Sequence, residues 1–150
     1  MSERYNFYKA APGGTKLMLD MEKYLHECGL EESLIHLVKM RASQINGCSY
    51  CLDMHSRDAR KNGETEQRLY VLDAWRETEL FTPRERAALA WTETLTLISQ
   101  NHAPDSAYGE FNAEFSDAEM ANLTLLIGTI NTWNRIAIST RMPIPAQKTA

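Results

Sequence analysis

Two four-residue runs, Thr82-Pro83-Arg84-Glu85 and Ser116-Asp117-Ala118-Glu119, each spell the start of a helix, and they restrict what this chain can fold into more than any other feature. The first hydroxyl accepts from the amide three residues on, while the glutamate at that position reaches back to the hydroxyl residue's own amide. Pro83 adds a ring whose fixed φ suits a first helical turn, where its missing N–H is not needed. Apolar residues then recur at three- and four-residue spacing. They are Ala87, Ala88, Leu89, Trp91, Leu95 and Leu97 after the first start, and Met120, Leu123, Leu125, Leu126, Ile127, Ile130, Trp133, Ile136 and Ile138 after the second. The expected helices cover about 85–99 and 117–139. The second is apolar on more than one face, which suits a central helix or one that also meets another subunit.

The rest of the chain carries the same period. Leu17, Met18, Met21, Leu25 and Cys28 place a helix over about 14–28, which Gly29 stops. Leu34, Ile35, Leu37, Val38 and Met40 place another over about 31–44, with Glu31 and Glu32 at its positive end and Lys39 and Arg41 later. Further helices are expected over 48–62, closed by Gly63, over 64–78, and as a short piece over 106–115. No alternating strand pattern, phosphate-cradling glycine loop or internal repeat competes. The expected fold class is therefore all-α, one helical bundle over residues 1–142, long enough to bury its own core. Pro143-Ile144-Pro145 is expected to open a mobile tail over 143–150.

A formal net charge of -4 gives no basic footprint for nucleic acid. No apolar stretch reaches membrane-spanning length, and Met1-Ser2-Glu3-Arg4-Tyr5 lacks the charged-then-apolar order of a signal peptide. The expected setting is a reducing cytoplasm, without membrane or nucleic-acid partners.

The chemistry concentrates in Asn46-Gly47-Cys48-Ser49-Tyr50-Cys51-Leu52-Asp53-Met54-His55. On a helix, Cys48, Cys51 and His55 share one face. The helical rise holds the two Cα atoms within roughly the 4.4 to 6.8 Å that a disulfide tolerates. Asn46-Gly47 can break the preceding helix and leave Cys48 near a new N-terminus, where free amides and the helix dipole favour a thiolate. His55, one turn beyond Cys51, can take its proton. Proximity to the helix start favours Cys48 as the reactive thiol and proximity to His55 favours Cys51, so the residues alone leave that choice open. Three other readings use the same residues: a zinc site lacking a spaced fourth ligand among Cys28, His26, His36 and His102, a permanent structural disulfide, and two buried small side chains beside an incidental histidine.

The stretch from Leu37 to His55 resembles the core of alkylhydroperoxidase D (AhpD)-like proteins of the carboxymuconolactone decarboxylase superfamily. Thr82 to Leu89 and Ile130-Asn131-Thr132-Trp133-Asn134-Arg135 are also similar to that family. The likeness spans about 34–138, with a redox core at about 34–99. It implies an AhpD-like helical bundle that assembles as a homotrimer or homohexamer, binds no cofactor or metal, and reduces hydroperoxides with electrons from a dithiol donor, lipoyl-type or thioredoxin-like. It further implies that Cys51 attacks the peroxide, that Cys48 resolves the sulfenic acid as a disulfide, and that His55 relays the proton.

The sequence departs from the family pattern at one relay position. A glutamate is common twelve residues before the first cysteine, and His36 stands there, while Tyr50 occupies the place of a histidine found between the cysteines in some relatives. An imidazole also shuttles protons, so His36 is expected to serve in the relay, with Glu32 one turn earlier able to orient it. Arg135 is expected in packing and a salt bridge, Cys28 as a small buried residue, and His26 and His102 at the surface. The leading expectation is an antioxidant peroxidase. Behind it stand a thiol-disulfide oxidoreductase or redox sensor without strong peroxidase activity, then a decarboxylase-type enzyme, whose chemistry needs no C-x-x-C.

Overall fold

The structure, a computed structural model, describes residues 2–146. It runs α1 (Phe7–Ala10), α2 (Pro12–Glu27), α3 (Glu32–Asn46), α4 (Ser49–Lys61), α5 (Glu66–Tyr70), a 3₁₀ turn (Leu72–Glu77), α6 (Pro83–Thr96), α7 (Ile98–Asn101), α8 (Asp105–Glu114) and α9 (Asp117–Thr140), with no strand among the described residues. The fold class is all-α, as expected. Both reciprocal caps form: Thr82 and Glu85 start α6, and Ser116 and Glu119 start α9.

The centre of the bundle is α3. Leu34 through Met40 are all buried, as are Ala42 and Ser43, because α4, α6 and α9 pack against successive faces of this helix. Each fully buried Leu, Ile or Val there contributes about 1.5–3 kcal/mol relative to exposure. The larger part of the core joins Leu34, Ile35 and Val38 to Trp91, Phe111, Leu123 and Ile127, with Trp91 stacked on Phe111 at 4.8 Å between ring centroids. A smaller part sets Leu37 and Met40 against Leu72, Trp75 and Phe81.

Three sequence expectations change. The single helix at 64–78 is two pieces, because Val71 (φ -101°, ψ 9°) and Ala74 (φ -108°, ψ 26°) leave helical geometry while Leu72 and Trp75 turn inward. The helix at 85–99 begins at Pro83 and ends at Thr96, with α7 following. Of the two expectations for α9, it is not the central helix, although α2, α3, α4, α6 and α8 all pack on it; Leu125 and Ile138 on its outer side stay exposed, as do Leu17 and Leu19 on α2. The short α1, which carries no clear sequence signal, is capped by Asn6 and lays Tyr8 beside Trp133. Residues 143–146 are exposed and outside any helix, and the rest of the expected tail, 147–150, lies outside the described residues. No helix among the described residues is long and apolar enough to cross a membrane.

Candidate active site

The helix break before the cysteines is built by backbone geometry. Gly47 takes a left-handed conformation at φ 68°, so its amide bonds to the Gln44 carbonyl and the Cys48 amide to that of Ser43 (3.2 and 3.0 Å). Cys48 then caps α4, its Sγ accepting from the Cys51 amide at 3.4 Å. This is the electron-poor helix start the sequence implied for the first thiol. A buried amide cluster fixes the break in space. Asn46 Nδ2 donates to Asn131 Oδ1 (2.9 Å) and Asn134 Oδ1 (2.8 Å), and Asn134 Nδ2 donates to Ser43 Oγ (3.0 Å). α9 is thereby tied to both sides of the turn that delivers the cysteines.

Cys48 and Cys51 are joined as a disulfide with Cα atoms 5.4 Å apart. Both are buried, at 1% and 2% exposure, against Ala137 of α9. Cys51 and His55 line one cavity of about 350 Å³, which also takes in His36, Glu32 and Lys39 from α3 and Tyr8 from α1.

A continuous string of polar groups runs along this cavity. Lys39, 2% exposed, donates from Nζ to Glu22 Oε2 (2.6 Å) and lies 3.3 Å from His26 Nε2. His26 Nδ1 is 2.8 Å from Glu32 Oε2, and Glu32 Oε1 is 3.2 Å from His36 Nε2. Asn62 Nδ2 also meets His36 Nε2, at 2.9 Å. His36 Nδ1 is buried without a hydrogen-bond partner. A buried ring nitrogen in that state is uncommon and disposed to accept a new partner. Burial lowers the His36 pKa, with Glu32 opposing the shift. His55 is pushed down to about 3, chiefly by burial and then by the positive neighbours Lys39, His36 and His26. At neutral pH it is an uncharged imidazole.

The sequence-expected residues Cys51, His55 and His36 thus share one cavity, and Glu32 stands beside His36 as the spacing allowed. Cys48 lines a separate groove. One expectation is borne out with an addition and one is corrected. His26 is at the surface as expected, and from there it also bridges Lys39 and Glu32. Lys39 is not merely a charge late in a helix but a buried cation in the cavity wall. Their signal was the i, i+4 pairs Glu22–His26 and Glu32–His36 on adjacent helices, which only helix packing could join. Asn131 serves the amide cluster, Trp133 lines the cavity, and Arg135 donates to Asn131 without reaching it. Cys28 packs against the main core, its Sγ on the Leu25 carbonyl, and His102 ends α7 away from the cavity. Among the described residues, no group of three or more His, Cys, Asp or Glu is placed to hold a metal ion.

The model of the carboxymuconolactone decarboxylase family matches residues 12–94, more than half of the chain and all of the C-x-x-C helix. The chain belongs to that family. The chain is similar to a relative of unestablished role, YdfG of Bacillus subtilis (strain 168), 45% identical over 139 residues, 93% of this chain and 95% of that protein. A solved structure from Agrobacterium tumefaciens, of a protein of unknown function offered as a candidate antioxidant defence protein AhpD, superposes with a TM-score of 0.94 at 43% identity, covering 97% of this chain and all of the other. A peroxidase-related protein from Silicibacter sp. TM1040 superposes at 0.78 with 24% identity over 87% of this chain and 70% of its own, a likeness of fold alone. The family's helical core is the part that carries α3, α4 and the cavity between them.

Proposed function

We propose that this family member is a thiol-dependent hydroperoxide reductase in which Cys51 attacks the peroxide, Cys48 resolves it, and His55 and His36 move the proton. The observation that carries the reading is the cavity itself: Cys51, His55 and His36 line it together, with a carboxylate beside His36. The missing relay glutamate is replaced by a two-residue equivalent, the His36 ring backed by Glu32.

The chemistry balances in three steps. The Cys51 thiolate attacks the terminal peroxide oxygen, the O–O bond breaks, and an alkoxide leaves that takes up the proton first released by the Cys51 thiol. A neutral His55 suits this task, since an imidazole can accept a proton on one nitrogen while releasing one from the other, and burial keeps it from holding charge. The Cys48 thiolate, stabilised by the Cys51 amide, then attacks the Cys51 sulfenic acid and expels hydroxide, which leaves as water with a proton from the relay, before further oxidation. An external dithiol reduces the disulfide. Such cycling presupposes a reducing compartment, the cytoplasm, and assembly as a homotrimer or homohexamer would cover the exposed Leu17, Leu19 and Leu125.

Burial of both sulfurs below 3% exposure favours small peroxides over the protein substrates of a thiol-disulfide exchanger. The test is peroxide consumption with a dithiol donor in wild type, Cys51→Ser and Cys28→Ser. Cys51→Ser is expected to lose turnover by at least a hundredfold and Cys28→Ser to keep it; equal turnover in Cys51→Ser sinks the reading.

A further inference from the structure

The two cysteines of the disulfide line different cavities. Cys51 lines the cavity described above and not its neighbour, whereas Cys48 lines a second groove of about 440 Å³ and not the first. The second groove lies between the start of α4 and the segment Ile138 to Ile144, and Tyr50, Ala137 and Met142 form the wall shared by both. From this we infer that peroxide and reductant use separate entrances, the reductant being a dithiol on an alkyl arm that enters the second groove and attacks Cys48 Sγ. The inference rests on the peroxidase reading and adds to it the entrance the donor uses and the sulfur it attacks.

The two linings differ in the way this division needs. Around Cys51 the carboxylates Glu22, Glu32 and Asp58 face a single buried cation, Lys39. An uncharged hydroperoxide enters such a space without electrostatic penalty, but a donor thiolate is repelled at distances within the ~8 Å over which salt screening is incomplete. Among the residues lining the second groove, Arg141 is the only charged side chain, and its positive charge suits an approaching thiolate. Ala137, Ile138, Met142, Pro143 and Ile144 give the rest of the groove an apolar surface matched to an alkyl chain.

The exchange closes in two displacements. A donor thiolate bonds to Cys48 Sγ, the Cys48–Cys51 bond breaks, and its electron pair leaves on Cys51, returning the thiolate that meets the next peroxide. The donor's second thiolate then attacks the donor sulfur bound to Cys48. The donor becomes a cyclic disulfide, and Cys48 leaves as a thiolate that the Cys51 amide already stabilises at 3.4 Å. The amide contact lowers the leaving-group barrier in this second displacement, the one that frees the enzyme.

A monothiol carries no second thiol to complete the second step within the same molecule, so its mixed disulfide persists long enough to report the site of attack. The oxidised full-length protein is mixed with excess 2-mercaptoethanol, quenched in acid with an alkylating maleimide, and the peptide containing both cysteines is sequenced by tandem mass spectrometry. The mercaptoethanol adduct is expected on Cys48 and the maleimide on Cys51, in at least tenfold preference; the reverse placement, or an equal mixture, overturns the inference. If reduction outruns trapping, Ile144→Trp decides by comparing rates. Filling the groove is expected to slow reduction by dihydrolipoamide at least tenfold more than it slows oxidation of the dithiol form by cumene hydroperoxide, and equal slowing of the two steps overturns the inference. An adduct on Cys51 with turnover intact removes only the second entrance, whereas a pair that never cycles through thiols removes the peroxidase reading itself.

Discussion

Acid should weaken this protein through one imidazole more than through any other histidine. His55 is 6% exposed and its pKa lies at about 3 in the folded state, against about 6.5 in an unfolded chain. Between those values the unfolded chain binds the proton and the folded one does not, so stability falls as the pH drops. The His55 contribution is fully present above about pH 6.5 and is lost progressively toward pH 3. Moving from pH 7.5 to pH 5.0 crosses about 1.5 units of that window, which costs about 2 kcal/mol at ~1.36 kcal/mol per unit. The figure changes little for any folded value below about 4, because at pH 5.0 the folded imidazole is then still neutral. Equilibrium urea unfolding of the oxidised protein at fixed concentration, at both pH values, gives the loss for wild type and for His55→Gln. Other groups whose pKa values are lowered, such as Glu93 and His36, titrate alike in both proteins and cancel in the comparison. Wild type should lose about 2 kcal/mol more than the variant; losses that agree within about 0.5 kcal/mol refute the argument that His55 is buried as a neutral ring.

Three further perturbations address the scaffold and the field around the site. Asn134→Ala removes two hydrogen bonds of a fully buried amide, leaving Asn46 with only its Asn131 partner and Ser43 Oγ without its donor, so it should cost about 2–4 kcal/mol in urea unfolding; a loss under about 0.5 kcal/mol would mean the cluster does not hold the turn. Gly47→Ala keeps open space around the new methyl but forces it to φ 68°, and a cost of about 1–2 kcal/mol is expected from the shift in urea midpoint, with no loss contradicting the left-handed turn. Lys39→Met removes the leading positive neighbour of His55, so the His55 pKa should rise in a histidine NMR titration while burial keeps it below the ordinary value; an unchanged or lower pKa would show that Lys39 does not act on the ring.

In the proposed relay, His36 in place of the family's glutamate is a change of position more than of chemistry. A carboxylate still ends the local path of that proposed relay, but it stands one helical turn earlier, beside the His36 ring in the same cavity wall. The contacts then run on through His26 to the Lys39–Glu22 pair, giving the cavity wall a string of polar groups within hydrogen-bonding distance of one another. His36 Nδ1 is the one buried side-chain nitrogen or oxygen among the described residues that has no hydrogen-bond partner in the disulfide form.

The helices were legible in the chain because their signals are local. The caps at Thr82 and Ser116, the stop at Gly47 and the apolar period of α3 each depend on residues within a few positions, and each formed where the sequence put it. The alignment of Cys48, Cys51 and His55 was legible for the same reason, since one helix carries all three. The kink at Val71, the exposure of Leu17 and Leu125, and the central place of α3 were not, because they depend on which faces of different helices meet. The same holds for chemistry. Sequence spacing determined that two thiols and a histidine share a face, whereas packing decided that Lys39 is buried, that His26 links Glu32 to it, and that the two cysteines line separate cavities. Spacing fixes neighbours along one helix through its constant pitch, but burial and electrostatics depend on approaches between helices far apart in the chain, and those exist only once the bundle has closed.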